Sequence, residues 1–369
     1  MKVVTVTDAW EPQVNGVVRT IQATNRELER AGHRVAVISP LDFATLRCPG
    51  YAEIRLALAP YRRMSRLLRQ ALADDGEVAV HVASEGPLGA AARRFCLRHS
   101  VPFTTAYHTR FPQYLRAMFR VPEHWTYRFL RRFHSAADAV LAPTATVEDE
   151  LRAFRIGRVA RWTRGVDTEV FKPSQPLDLG LPTPLFLYVG RVSVEKNIEA
   201  FLELDLPGSK IVAGTGPALD FLRRRFPEVH FHGILPSDEL ARLYSSADVF
   251  VFPSRTDTFG LVMLEALACG TPVAAFPVQG PKDVVGGSGV AVLDDDLRRA
   301  ATTALRIDRK HCRDYALTQS WTAATAQFVA LQRPVRTRAG SGKHALQVMP
   351  IAANASAAPI AAPARTSDG

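Results

Sequence analysis

Short apolar, β-branched runs alternate with helical stretches along almost the whole chain, and the scheme runs through twice. Strands separated by helices imply a parallel sheet, because a parallel crossover needs a helix to bring the chain back. In the first half the candidate strands are Val3 to Thr7, Arg34 to Ile38, Val78 to Val82, Phe103 to Tyr107, Asp138 to Ala142 and Val159 to Trp162. A loop of turn formers (Asp8, Pro12, Asn15, Gly16) leads from the first of these into a helix from about Val17 to Arg30, closed by Gly32. The second half offers Leu185 to Val189, Lys210 to Ala213, Val229 to Phe231, Val249 to Phe252, Val273 to Phe276 and Val290 to Leu293. The expected class is α/β with two Rossmann-like domains, residues 1–172 and 173–332. The Pro-rich stretch from Lys172 to Pro184 joins them, and a ligand is expected in the cleft between them, at the carboxyl ends of the strands. After a last helix, Trp321 to Gln332, the composition turns to Ala, Pro, Ser and Arg, and residues 333–369 are expected to form a disordered tail.

With 369 residues, 47% of them hydrophobic, the chain has material for two cores. The start shows only the run Val3 to Thr7 before Asp8, and no window approaches the ~18 apolar residues of a membrane span. A cytoplasmic protein is the expectation. Cys48, Cys96, Cys269 and Cys312 are widely spaced with no C-x-x-C pair, so they read as reduced core thiols rather than as disulfides or a zinc site. The net charge of +10 is uneven: residues 1–172 carry +9, residues 173–332 carry −3 and the tail carries +4. A basic first half faces an anionic partner, either lipid or nucleic acid. No RNA-binding aromatic motif or DNA-binding helix pair is present, which favours a membrane.

Two stretches of the first half could meet that membrane. Tyr61 to Leu72 sets Met64, Leu67, Leu68 and Ala71 on one helical face, with Arg62, Arg63, Arg66 and Arg69 on the other. From Arg110 to Phe133, arginines interleave with Phe111, Tyr114, Phe119, Trp125 and Phe129. Such helices either complete a core or lie in the lipid interface, and two of them in a +9 domain favour the second role.

A phosphate needs cations or backbone N–H groups aimed at its oxygens. Directly after Leu185 to Val189 stand Gly190 and Arg191, and Lys196 follows five residues later at the start of an expected helix. Either cation alone could be a solvated loop end, but the pair after a strand favours a phosphate clamp, each charged hydrogen bond contributing ~1.5–3 kcal/mol. The run Pro253 to Glu265 begins where another strand ends and continues into a helix starting near Phe259 and Gly260. That helix start offers free N–H groups, and Gly260 lets a ligand approach the backbone. Asp257 and Glu265 alone would read as a dipole partner and a solvated face; together they could grip sugar and ribose hydroxyls. His108 lies just past Phe103 to Tyr107, at a carboxyl end facing the cleft, between Tyr107 and Arg110. Asp294, Asp295 and Asp296 follow a strand and read as a turn and helix cap rather than a metal site.

These motifs, with Pro12-Gln-Val-Asn-Gly-Val17, Tyr107 to Leu115 and Arg164-Gly-Val-Asp167, resemble the retaining GT-B glycosyltransferases of family 4 type. That family includes phosphatidylinositol mannosyltransferases and diacylglycerol glycosyltransferases, and the similarity spans about residues 1–332. The resemblance implies that Arg191 and Lys196 bind a donor diphosphate, Glu265 the ribose and Asp257 the transferred sugar. It implies that the backbone from Phe259 through Gly260 and Leu261 to Val262 meets phosphate and sugar, that Gly16 lets its loop cross the diphosphate, and that His108 touches the sugar near the reacting carbon. Asp257 stands where the motif usually has Glu, and Arg164 where many relatives have Asn; the latter bears on the acceptor. The implied reaction retains anomeric configuration, needs no metal or other cofactor, and moves a hexose from UDP-glucose, UDP-glucuronate or GDP-mannose to a membrane lipid such as diacylglycerol. The enzyme would sit at the inner face of the cell membrane. The readings next in line are a mannosyltransferase acting on phosphatidylinositol or a polysaccharide precursor, an epimerase or phosphorylase on the same fold, and a basic nucleic-acid-binding protein.

Overall fold

The computed structural model describes residues 1–13, 15–48, 51–73, 76–108, 120–339 and 346–350. Its first eight strands are β1 (Lys2–Val6), β2 (Arg34–Ile38), β3 (Thr45–Cys48), β4 (Tyr51–Ala57), β5 (Glu77–Val82), β6 (Phe103–Ala106), β7 (Ala139–Ala142) and β8 (Val159–Arg161). The next six are β9 (Leu185–Val189), β10 (Ser209–Ala213), β11 (His230–Gly233), β12 (Val249–Phe252), β13 (Val273–Ala275) and β14 (Ala291–Leu293), and β15 (Val335–Ala339) and β16 (Leu346–Pro350) end the series.

Two sheets result, the first parallel except for β15 and β16 at one side and the second parallel throughout. In the first, β2, β1 and β5 run side by side, followed by β6, β7 and β8; the second has the order β11-β10-β9-β12-β13-β14. Helices cover both faces of each sheet, so the inner strands are apolar throughout: every residue of β9 is buried, as is every residue of β12. The expected strands all appear, with ends shifted by one residue at most positions.

Three features depart from the sequence reading. No element was expected between Ile38 and Tyr61, yet β3 and β4 pair there antiparallel, with Arg47 opposite Arg55. Like charges facing each other weaken the apolar alternation that marks a strand. Cys48, at the end of β3, is only half buried, whereas Cys96, Cys269 and Cys312 are core thiols. The stretch expected to lack structure contributes β15, which pairs antiparallel with β5 (Val335 opposite Val78) and buries Val335 completely. Its pattern Val-Arg-Thr-Arg-Ala is too short to stand out in an Ala- and Pro-rich composition.

The closing helix, Trp321–Leu331, follows the second sheet in the chain but packs on the first. Its Phe328 ring lies 4.9 Å from His81 and 5.0 Å from Trp162. Gln327 accepts from the backbone N–H of Thr163 at 3.0 Å, Gln332 accepts from the Thr104 hydroxyl at 3.0 Å, and Thr322 donates to Glu27 of the first helix at 2.7 Å. The chain thus returns to its starting sheet and ties the two halves together. Phe328→Ala is expected to cost about 3–5 kcal/mol in urea unfolding, the usual loss for a buried aromatic ring; a cost below about 1 kcal/mol would show that the helix is not a structural tie.

Candidate active site

In each sheet the strand order reverses beside its first strand, at β1 between β2 and β5 and at β9 between β10 and β12. Loops leaving the carboxyl ends there diverge and open a crevice. In the second sheet the loop after β9 carries Gly190 and Arg191, and Lys196 closes the short 3-10 turn Val194–Lys196 instead of opening a helix. The reason is Asn197, which takes a left-handed backbone (φ +53°) and turns its side-chain amide to donate to Pro253 O at 3.0 Å. The Thr256 hydroxyl donates to Glu195 O at 3.2 Å, and the Lys196 ammonium donates to Asp257 Oδ1. These bonds lace the loop after β9 to the loop after β12. They hold Arg191, Lys196 and Asp257 along one edge. Arg191 lies 3.8 Å from Glu195, and its backbone carbonyl accepts from the Tyr188 hydroxyl at 2.8 Å.

The second loop ends at Gly260, the residue before the helix Leu261–Ala268. Its φ of +85° suits glycine, and an added Cβ would lie 2.9 Å from the Met263 methyl and 3.0 Å from the Phe252 ring. Phe259, Leu261 and Val262 are half buried, and no side chain caps the start of this helix. One turn on, Glu265 is buried and accepts from the Tyr244 hydroxyl at 3.2 Å.

The first sheet supplies the opposite wall. Gly16 begins the first helix, Gly16–Arg30, and a Cβ on it would lie 4.0 Å from Leu261 Cδ1. Arg19, one turn along, reaches across to Glu265 at 2.6 Å. The Thr258 hydroxyl donates to the backbone carbonyl of His108 at 2.8 Å, and Thr146 donates to Asp283 at 2.7 Å farther along the seam. His108 is half buried with its Nε2 covered, its ring edge-on to Trp162 at 5.8 Å and its Nδ1 3.3 Å from Arg164. Burial, then the Arg164 charge and then His81 hold the His108 pKa well below its ordinary value. Among the described residues His108 Nε2 and Asp257 Oδ2 are buried without hydrogen-bond partners. A buried polar atom left without a partner costs free energy, and a ligand hydroxyl, which both accepts and donates, can satisfy either kind.

His108, Gly16, Gly190, Arg191, Lys196, Asp257, Phe259, Gly260, Leu261, Val262 and Glu265 therefore border one seam. Other expectations change. Tyr107, grouped with the acceptor side, is fully buried and packs with Tyr127 and Leu130, so it is a core residue. Arg164 is 3% exposed and backs His108 rather than facing a surface. Arg110 lies outside the described residues. The apolar face proposed for lipid in Tyr61–Leu72 is core: Met64 and Leu68 are fully buried and Ala71 nearly so. Arg62, Arg63 and Arg66 are exposed on its outer side, whereas Arg69 is half buried, 3.1 Å from His99. The helix Glu123–His134 differs, since it exposes Trp125 (64%) and Phe129 (51%) beside Arg128, Arg131 and Arg132. Asp294 pairs with Arg299, and Asp296 caps the helix Leu297–Ala304, as a turn and cap require. Sequence reasoning missed Arg19, Tyr244 and Thr258. Arg19 meets a partner 246 residues away, a contact that no local pattern encodes.

Residues 14–170 match the family described as Glycosyltransferase Family 4, and residues 183–307 match the description Glycosyl transferases group 1. The sulfoquinovosyl transferase of Arabidopsis thaliana is 32% identical, over 85% of this chain and 70% of that protein. The chain belongs to glycosyltransferase family 4. This glycosyltransferase is also 31% identical to a GDP-mannose-dependent alpha-mannosyltransferase of Mycobacterium tuberculosis, over 77% of this chain and 81% of the other. It is 28% identical to an alpha-monoglucosyldiacylglycerol synthase of Streptococcus pneumoniae, over 74% of this chain and 71% of that one. Sucrose-phosphate synthase from Thermosynechococcus elongatus shares the fold at a TM-score of 0.69 and 20% identity, over 89% of this chain and 98% of that structure. The family 4 enzyme is thus a two-sheet, GT-B hexosyltransferase.

Arg19→Ala in this glycosyltransferase leaves the buried Glu265 carboxylate with Tyr244 as its remaining partner. The expected loss is about 1–3 kcal/mol in chemical denaturation, with partial recovery in Arg19→Lys. An unchanged midpoint would mean that the contact does not contribute to holding the seam.

Proposed function

We propose that this enzyme is a retaining hexosyltransferase that uses a nucleotide diphosphate sugar, UDP-glucose or UDP-glucuronate ahead of GDP-mannose, to glycosylate a membrane lipid such as diacylglycerol. The observation that carries the donor half is the lacing of the loops after β9 and β12, which fixes Arg191, Lys196 and the helix start at Gly260 around one crevice. Lys196 spends one of its three N–H donors on Asp257 and retains two for phosphate oxygens. Glu265 takes the ribose, Asp257 the hexose, and the backbone of Phe259 to Val262 the phosphate and sugar, while the loop before Gly16 crosses the diphosphate.

The bond from the anomeric carbon to the diphosphate oxygen breaks as the acceptor hydroxyl oxygen bonds to that carbon on the same face. The acceptor proton passes to the departing phosphate, so no separate base is needed. The cations and the helix terminus offset the charge that develops on the leaving group, the role a metal ion has in other transferases. His108 lies on the opposite wall, positioned to donate to a sugar hydroxyl through Nε2.

The lipid half rests on two supports: the likeness to a monoglucosyldiacylglycerol synthase, and the exposed Trp125 and Phe129 set among arginines in the +9 half of the chain. Aromatic rings with flanking cations suit the headgroup region of an anionic leaflet, each cation near the surface adding about 1 kcal/mol. The protein would then be peripheral at the inner face of the membrane. A second reading, a GDP-mannose-dependent mannosyltransferase acting on phosphatidylinositol or a polysaccharide precursor, is favoured by the 31% identity to the mycobacterial enzyme.

The test is incubation of the purified enzyme with UDP-glucose, UDP-glucuronate, UDP-galactose and GDP-mannose on anionic vesicles containing diacylglycerol, with new lipids identified by mass spectrometry. A glycosyldiacylglycerol made from a UDP-sugar supports the first reading; transfer from GDP-mannose alone, independent of vesicles, supports the second. Lys196→Ala and His108→Ala should each lower transfer about 100-fold or more with the fold retained, as removal of an electrostatic stabiliser does. Transfer near the wild-type rate would remove that residue from the site.

A further inference from the structure

Arg164 is folded into the interior, 3% exposed. Its guanidinium carbon stands 4.0 Å over the Trp162 ring, and one terminal nitrogen donates to Trp162 O at 2.6 Å and Thr163 O at 3.0 Å. The other terminal nitrogen points at His108 Nδ1, 3.3 Å away. Among the described residues no carboxylate pairs with it. An arginine has only donors, so the imidazole nitrogen facing it has to be the acceptor, which leaves the single ring proton on Nε2. Among the described residues that nitrogen is buried without a partner, while the backbone carbonyl of the same residue accepts from Thr258 of the opposite wall.

We propose that Arg164 is a positioning residue: it holds His108 as the neutral, Nε2-protonated tautomer, so that the ring presents a fixed hydrogen-bond donor and no positive charge to the sugar. This deepens the transfer reaction proposed above and rests on it. The charge matters because a glycosyl centre gains positive character as its bond to the leaving group breaks, and an imidazolium alongside would oppose it. Protonating Nδ1 would set two donors head to head and two cations side by side. Arg164 is itself pushed down to about 9 by burial, still charged at neutral pH. The other groups around His108 act in the same sense or are already neutralised. His81, on β5, is buried and held low to about 3, and across the seam Asp257 is paired with Lys196.

The experiment has two arms. Nitrogen-15 histidine spectra of the wild-type protein should show His108 with unprotonated Nδ1 and protonated Nε2, unchanged from pH about 7 to about 5, across the range where a free imidazole titrates. Under donor-saturating conditions the wild-type rate should show no acid limb over that range. Arg164→Met should lower the rate by about tenfold or more, as loss of an orienting partner does, and should gain an acid limb as Nδ1 becomes free to protonate. Arg164→Lys, whose ammonium is also only a donor, should recover the flat profile. A protonated Nδ1 in the wild-type spectrum would overturn the proposal, as would a folded Arg164→Met with the wild-type profile. Where Arg164→Met does not fold, the wild-type spectrum decides. Because the spectra need no turnover, a correct tautomer in a protein that transfers no sugar would sink the proposed reaction and leave the lock standing.

Discussion

Two hydrogen-bonded contacts across the seam between the sheets, Thr258 to the His108 carbonyl at 2.8 Å and Arg19 to Glu265 at 2.6 Å, set the geometry on which the site depends. Each sheet alone offers half a site. The second has cations and a helix terminus, and the first has a half-buried histidine. Bringing the carboxyl ends together sets these halves face to face, with Arg191, Lys196 and Asp257 partly covered, so that a charge or a donor there counts for more than on an open surface. The helix Trp321–Leu331 secures the arrangement, because it leaves the second half of the chain and packs its Phe328 against His81 and Trp162 of the first.

The electrostatic division between the two walls follows from burial. On the second sheet, Arg191, Lys196, Asp257 and Glu265 each stand beside an oppositely charged neighbour. On the first, His108 and His81 are driven toward the neutral form by burial and by Arg164. Cations on one wall opposite a neutral imidazole on the other suit the separation of a sugar from a diphosphate, since the anion leaves toward the cations.

Much of this was readable from the chain. Strands buried on both faces, such as Leu185 to Val189 and Val249 to Phe252, leave continuous apolar runs, so both sheets and the loops at their ends could be placed by pattern alone. The residues after those strands, Gly190, Arg191, Lys196, Asp257 and Gly260, were legible for the same reason: their position depends on a strand end. What escaped depends on tertiary contact. Arg19 is one polar residue in an amphipathic helix, Arg164 reads as bearing on the acceptor, and Met64 and Leu68 read as facing lipid rather than the core into which they fold. Periodicity shows that a helix has an apolar face but not what covers it. The strand Val335–Ala339 was hidden for a related reason, since its stability comes from pairing with Val78 rather than from its own composition.

The central claim is that the groups gathered after β9 and β12 hold a diphosphate. Calorimetric titration of the enzyme with a nucleoside, its monophosphate and its diphosphate, using both uridine and guanosine series, tests it most directly. The account predicts a steep gain in affinity on reaching the diphosphate, of about 3 kcal/mol or more for two charged contacts, falling as salt rises. Equal affinity for nucleoside and diphosphate in both series would contradict it.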